Sequence, residues 1–222
     1  MSTENKPGLW QRALSYIWPQ RIRSFNHQGQ KLTLELYRGE WMLCTPEAIY
    51  SWGTRYRPFR IPFNHLKKEL PHIKRFLLLG TGLGSALQIL QQKHHCYPES
   101  VLVDHNALTL HLSEDFMQLN SHNNVQWVCN DALQVLNSPI PPFDLIGIDL
   151  FTDMQVEHQF KQEAFYRLVA NKMNPGGIAI FNNVFHSQND RDIVLKRMNM
   201  VFNHVHPITK GINTFTIARI KK

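Results

Sequence analysis

The chain has 222 residues, of which 43% are hydrophobic and 18% charged, and a formal net charge of +7 at pH 7. This is the composition of a globular protein and excludes a disordered chain; the length suits one sizeable α/β domain with a small appendage. No stretch approaches 18 apolar residues, and the three cysteines show neither CxxC nor metal-type spacing. We therefore expect a cytoplasmic protein without a membrane partner, a disulfide or a metal site.

Residues 1–72 are predicted to form a helix, a small β unit and a linker. The segment 9–18 has amphipathic helical spacing. Residues 20–45 alternate apolar and polar side chains around the turn signals "HQGQ" and "RGE", which is typical of antiparallel hairpins. The stretch 46–66 is expected to cross, as helix or loop, to the second part of the chain.

Residues 73–222 alternate strand and helix patterns. The predicted strands are "RFLLLG", "SVLVD", "VQWVCND", "FDLIGIDL" and "IAIFNNV", and a hairpin closes the chain. This alternation predicts an α/β fold with a Rossmann-like, mostly parallel sheet, helices on both faces and a terminal antiparallel hairpin.

Glycines at positions 80, 82 and 84 follow the first of these strands directly. Glycine permits both a sharp strand-to-helix turn and the close approach of a nucleotide to the backbone. A dinucleotide fingerprint needs glycine or alanine at position 85, where this chain has serine. The spacing therefore favours an adenosyl-sulfonium or adenosyl-thioether ligand over a nicotinamide cofactor.

Acidic residues end the second, third and fourth strands of this part, at Asp104, Asp131 and Asp149. Ligands of such sheets bind outside the carboxyl ends of the strands. Asp104 stands where a carboxylate reaches ribose hydroxyls; Asp131 accepts from an adenine amine or only caps the next helix. Asp149 closes an apolar strand and either handles a proton or caps the segment that follows.

The segments "GTGLGS", "LVD", "NDA", "FDLIGID" and "FYRLVANKMNPGG" together resemble the spermidine synthase family (polyamine aminopropyltransferases) within the class I S-adenosylmethionine-dependent methyltransferase fold. The likeness spans most of the chain and implies a homodimer that uses S-adenosylmethionine or its decarboxylated form. The strand-end carboxylates and this resemblance together give three candidate catalytic residues: Asp149, Asp153 and Tyr50. The candidate cofactor-binding residues are Gly80, Thr81, Gly82, Leu83, Gly84, Asp104, His105, Asp131, Ala132 and Asp149.

Three departures from the family pattern affect the polyamine site. Leu83 stands where the family has an aspartate, three residues rather than two separate Asp149 from Asp153, and the family's "YHE" is matched at best by "YSW" at 50–52. A positive net charge is also unfavourable for binding a polycation. We therefore expect a methyltransferase acting on a small-molecule acceptor, with aminopropyl transfer as the alternative.

A second alternative is a non-catalytic nucleotide- or nucleic-acid-binding protein. The basic residues are scattered rather than grouped in blocks, so no nucleic-acid partner is expected. An aromatic cluster among arginines is interpreted as a lid or a seam between the two parts rather than a base-stacking surface; its members are Trp41, Tyr50, Trp52, Tyr56 and Phe59.

Overall fold

The computed structural model describes residues 7–27, 30–116, 124–151 and 156–221. Its first part is a short helix followed by a four-stranded antiparallel sheet in the order β1-β2-β3-β4. The elements are α1 (Leu9–Ser15), β1 (Gln20–His27), β2 (Gln30–Tyr37), β3 (Glu40–Cys44) and β4 (Ile49–Trp52).

Strand β4 lies inside the stretch 46–66, for which the sequence predicted only helix or loop; that prediction was wrong for its first part. Four residues are too few to show a strand period. Pairing with β3, in which Leu43 lies opposite Ser51, is what makes this segment extended.

The second part contains a seven-stranded sheet in the order β10-β11-β9-β8-β5-β6-β7. Strands β5 to β9 are parallel and the last two antiparallel, which confirms the predicted fold class. No helix among the described residues is long and apolar enough to span a membrane. The elements are α2 (Arg57–His65), β5 (Arg75–Leu79), α3 (Ser85–His94), β6 (Glu99–Asp104), α4 (Ala107–Phe116), β7 (Val125–Cys129), α5 (Ala132–Asn137), β8 (Phe143–Ile148), α6 (Glu163–Asn171), β9 (Met173–Val184), α7 (Gln188–Asn199), β10 (His204–Lys210) and β11 (Asn213–Arg219).

Strands β5 and β8 form the middle of this sheet and are apolar along almost their whole length, as expected of parallel strands covered on both faces. Alternate residues of β5 contribute to two hydrophobic cores, one on each face of the sheet. Leu77 and Leu79 pack with side chains from α6 and α7, whereas Phe76 and Leu78 pack with side chains from α2 and α3.

A third apolar cluster joins the two sheets. It contains Leu83 from the glycine turn, Trp41 from β3 and Phe116 from α4, and the rings of Trp41 and Phe116 meet edge to face with centroids 4.9 Å apart. A buried hydrogen bond of 2.6 Å between the hydroxyls of Ser51 and Ser85 adds a polar contact. The N-terminal sheet therefore packs directly on the turn that follows β5. The division of the chain near residue 72 stays a prediction.

Gly80→Ala is expected to destabilise the fold strongly. Gly80 has φ +84°, and a Cβ there would lie 2.2 Å from the carbonyl oxygen of Asp149, a backbone atom that cannot move cheaply. The loss in the free energy of unfolding should exceed about 4 kcal/mol. Urea denaturation, monitored by circular dichroism, measures this free energy of unfolding.

Gly211→Ala is the matched control, because Gly211 also has a positive φ (+64°) but a Cβ there would meet nothing within 4 Å. Its free energy of unfolding should fall only by the backbone strain, about 1–2 kcal/mol. Equal losses for the two variants would show that the contact with Asp149 is not what constrains position 80.

Candidate active site

The glycine turn after β5 lies against strand β4 and against the end of β8. A Cβ on Gly80 would collide with the backbone of Asp149, and one on Gly82 would lie 2.8 Å from the carbonyl oxygen of Tyr50. Both glycines therefore permit close contact with the protein's own backbone. As a result, strand β4 and the ends of β5 and β8 meet at one place.

A cavity of about 720 Å³ opens at this edge of the sheet, within the usual size range of small-molecule sites. It lies at the carboxyl ends of the parallel strands, where ligands of such folds bind. Eight of the residues predicted from the sequence line it: Tyr50, Gly80, Gly82, Asp104, His105, Asp131, Ala132 and Asp149.

Asp104, at the end of β6, is held by the glycine turn. Its Oδ2 accepts from the backbone N–H of Thr81 and its Oδ1 from that of Asn106, both at 3.0 Å. Burial raises the pKa of Asp104, and these backbone donors, with that of Gly82, oppose the rise. A carboxylate has about four lone-pair sites, so acceptor capacity remains for a ligand hydroxyl.

Asp131 caps helix α5. Its Oδ1 accepts from the backbone N–H of Leu133 at 2.8 Å and of Gln134 at 3.3 Å, which satisfies donors at the start of the helix. The same residue also lines the cavity. The capping role considered from the sequence is thus present, and it leaves Asp131 at the wall of the site.

Asp149 is the centre of a side-chain network. The hydroxyl of Tyr56 donates to its Oδ2 at 2.7 Å, and the amide of Asn182 donates to its Oδ1 at 2.8 Å. Asn213 in turn donates to the amide oxygen of Asn182 at 3.1 Å. These contacts fix both carboxylate oxygens in position at the cavity wall.

The pKa of Asp149 is raised to about 6, mainly by burial and also by the nearby charge of Asp104, whereas the hydrogen bonds from Asn182 and Tyr56 oppose the rise. The hydroxyl of Tyr56 is itself buried beside this carboxyl, and its pKa lies well above the usual value. A carboxyl that titrates close to neutral pH in a cavity is suited to exchanging a proton with a ligand.

Three members of this network were not among the predicted site residues. In the sequence, Asn182 is a polar residue at the end of a predicted strand, and Tyr56 belongs to an aromatic cluster. No sequence pattern indicated that either of them forms a hydrogen bond with Asp149. Asn213 gave no sequence signal at all. Of the predicted aromatic cluster, Tyr50, Trp52 and Tyr56 line the cavity, and Phe59 belongs to the core beneath it.

Four predicted site residues are not placed at the cavity wall. The hydroxyl of Thr81 donates to the carbonyl of Val103, Leu83 is buried in the third apolar cluster, and Gly84 is the N-cap residue directly before helix α3. Asp153 lies outside the described residues. Within the described ranges, no group of three potential metal ligands is close enough to hold an ion.

Comparisons with known proteins agree with this architecture. Residues 63–220 match the family described as the spermine/spermidine synthase domain. The chain is 28% identical over 203 residues to a tRNA (guanine-N(7)-)-methyltransferase of Pectobacterium atrosepticum, covering 83% of this chain and 74% of that protein.

Two solved structures share the fold at low sequence identity. The crystal structure of a probable spermidine synthase from Corynebacterium glutamicum has a TM-score of 0.75 at 17% identity, covering 89% of this chain and 80% of that one. Human methyltransferase-like protein 13, in complex with SAH, has a TM-score of 0.60 at 18% identity, covering 69% and 75%. The chain therefore belongs to the spermine/spermidine synthase family and is a transferase.

Proposed function

We propose that the chain binds S-adenosylmethionine in this cavity and transfers its methyl group to a small-molecule acceptor held beside Asp149. The observation that carries the proposal is the pairing of two partly buried carboxyl groups in one cavity. Asp104 is held by backbone N–H groups, and Asp149 is held by side chains and has a pKa of about 6.

The residues of the cavity fit an adenosyl cofactor. Asp104 retains acceptor capacity for a ribose hydroxyl, and Asp131 stands at the neighbouring strand end, where it suits an adenine amine. Apolar side chains, among them Val103 and Ala132, form part of the wall between them. This half of the cavity would hold the nucleoside, and the half at β8 and β9 would hold the reacting end.

The identity of residue 83 favours methyl transfer over aminopropyl transfer. The family resemblance places there an aspartate that holds the amine of a decarboxylated donor. Leu83 instead has only 2% of its surface exposed and packs among apolar side chains. The similarity to a protein named as a methyltransferase supports the same choice.

S-adenosylmethionine would supply an electrophilic methyl carbon, whose bond to sulfur breaks as a lone pair of the acceptor attacks it. Asp149 would take the proton that the acceptor loses. Tyr56 and Asn182 hold the carboxylate in place, which contributes to catalysis by positioning. At pH 7 a carboxyl with a pKa of about 6 is mostly ionised and can act as this base.

Aminopropyl transfer from decarboxylated S-adenosylmethionine is the second candidate, because the family includes spermidine synthases. The two functions differ in the donor that the site prefers. A calorimetric titration of the protein with both donors tests this: tighter binding of S-adenosylmethionine is expected, and tighter binding of the decarboxylated form would establish the second candidate instead.

Asp104→Ala should weaken binding of S-adenosylmethionine about 10- to 100-fold, because hydrogen bonds from a ribose hydroxyl to a carboxylate are lost. Asp104→Asn keeps one acceptor oxygen, so its affinity for S-adenosylmethionine should lie between that of Asp104→Ala and that of the wild type. Asp115→Ala removes an exposed carboxylate of α4 as the control. Wild-type affinity in Asp104→Ala, at unchanged melting temperature, would show that Asp104 does not bind the ribose.

The pKa of Asp149, followed through its carboxyl carbon by NMR, should be about 6 and should rise in Tyr56→Phe, because the lost hydrogen bond favours the charged form. Tyr166→Phe is the control: it also removes a buried hydroxyl, but one that no described residue pairs with. A titration midpoint of Asp149 near that of an ordinary aspartate would contradict its proposed role as the base that takes the acceptor's proton.

Transfer of tritium from methyl-labelled S-adenosylmethionine to the dialysable fraction of a cell extract is expected, and Asp149→Asn should abolish it. Since the carboxylic acid form accepts no proton, the rate should fall about tenfold per pH unit below a pH of about 6. Label that appears only in the RNA fraction would contradict a small-molecule acceptor.

A further inference from the structure

Two arginines line the cavity on either side of Tyr56 in the chain, Arg55 and Arg57. Tyr56 is anchored, because its hydroxyl donates to Asp149 at 2.7 Å. This contact fixes the start of helix α2 against the end of β8. Both guanidinium groups are therefore attached to a backbone segment that is held at the reacting end of the cavity.

The two arginines differ in their partners. The Nε of Arg55 lies 3.5 Å from the Oε1 of Glu40, and Glu40 is itself held by the backbone N–H and the hydroxyl of Thr54. For Arg57 no carboxylate within 4 Å is found among the described residues, and its side chain is exposed. Arg57 thus brings to the cavity wall a positive charge that no described carboxylate pairs with directly.

A positive charge at this place distinguishes the two possible donors. S-adenosylmethionine carries an α-carboxylate at the end of its methionine chain, and the decarboxylated form carries only an ammonium there. A guanidinium pairs with a carboxylate through two parallel hydrogen bonds, and it repels an ammonium. A polyamine acceptor would be disfavoured for the same reason.

We infer that Arg57 binds the α-carboxylate of the methionine chain and so makes this site select S-adenosylmethionine over its decarboxylated form. The inference rests on the proposed function, because it takes the nucleoside to lie at Asp104 and the methionine chain to extend toward Tyr56 and Asp149. Leu83 is buried and offers no group to the amine of the decarboxylated donor, and Arg57 on the wall adds a charge that repels this amine.

The test is a calorimetric titration of four proteins with three ligands. The ligands are S-adenosylmethionine, its decarboxylated form, and methylthioadenosine, which has no amino-acid chain. Arg57→Ala should weaken binding of S-adenosylmethionine about 10- to 100-fold, strengthen binding of the decarboxylated form, and leave binding of methylthioadenosine unchanged. Arg57→Glu should reverse the preference, so that the decarboxylated donor binds more tightly than S-adenosylmethionine.

Arg60→Ala is the matched control, since Arg60 is on the same helix but does not line the cavity. It removes the same charge and should change none of the three affinities. An equal loss for all three ligands in Arg57→Ala, or no loss for S-adenosylmethionine, would overturn the role of Arg57 while leaving methyl transfer standing. Failure of the wild type to bind any of the ligands would overturn the proposed function as well.

Discussion

The backbone of the glycine turn and the backbone at the end of β8 lie in direct contact, so that a Cβ on Gly80 would sit 2.2 Å from the Asp149 carbonyl oxygen. The hydrogen bonding between β5 and β8 extends to this point, because the N–H of Asp149 donates to the carbonyl of Leu79 at 2.8 Å. Because no side chain separates the two segments, the carboxyl of Asp149 is held beside the turn. There the side chains of Tyr56 and Asn182 can both reach it.

The N-terminal sheet completes the site rather than standing apart from it. Leu83, in the middle of the glycine turn, packs among leucines of β2 and β3, and Ser85 accepts from the backbone N–H of Trp52 at 3.1 Å. The side chain of Leu83 thereby ties the glycine turn to the N-terminal sheet. An apolar residue at this position therefore contributes directly to the packing between the two sheets.

The two partly buried carboxyl groups of the cavity, Asp104 and Asp149, are held by different kinds of donor. Backbone N–H groups of the glycine turn hold Asp104, so its position is tied to the path of the main chain. Side chains from three distant segments surround Asp149, through Tyr56, Asn182 and, behind it, Asn213. The two carboxyl groups therefore lie in different environments within one cavity.

The sequence by itself determined the parallel sheet, the glycine turn and the acidic residues at the strand ends, because strand and helix periods are local and parallel strands present their carboxyl ends at one edge. Only the tertiary structure decided that β4 is a strand, that Leu83 faces the N-terminal sheet and that Tyr56 donates to Asp149, 93 positions away. These contacts join segments far apart in the chain. They follow from how the elements pack, which no local pattern of residues records.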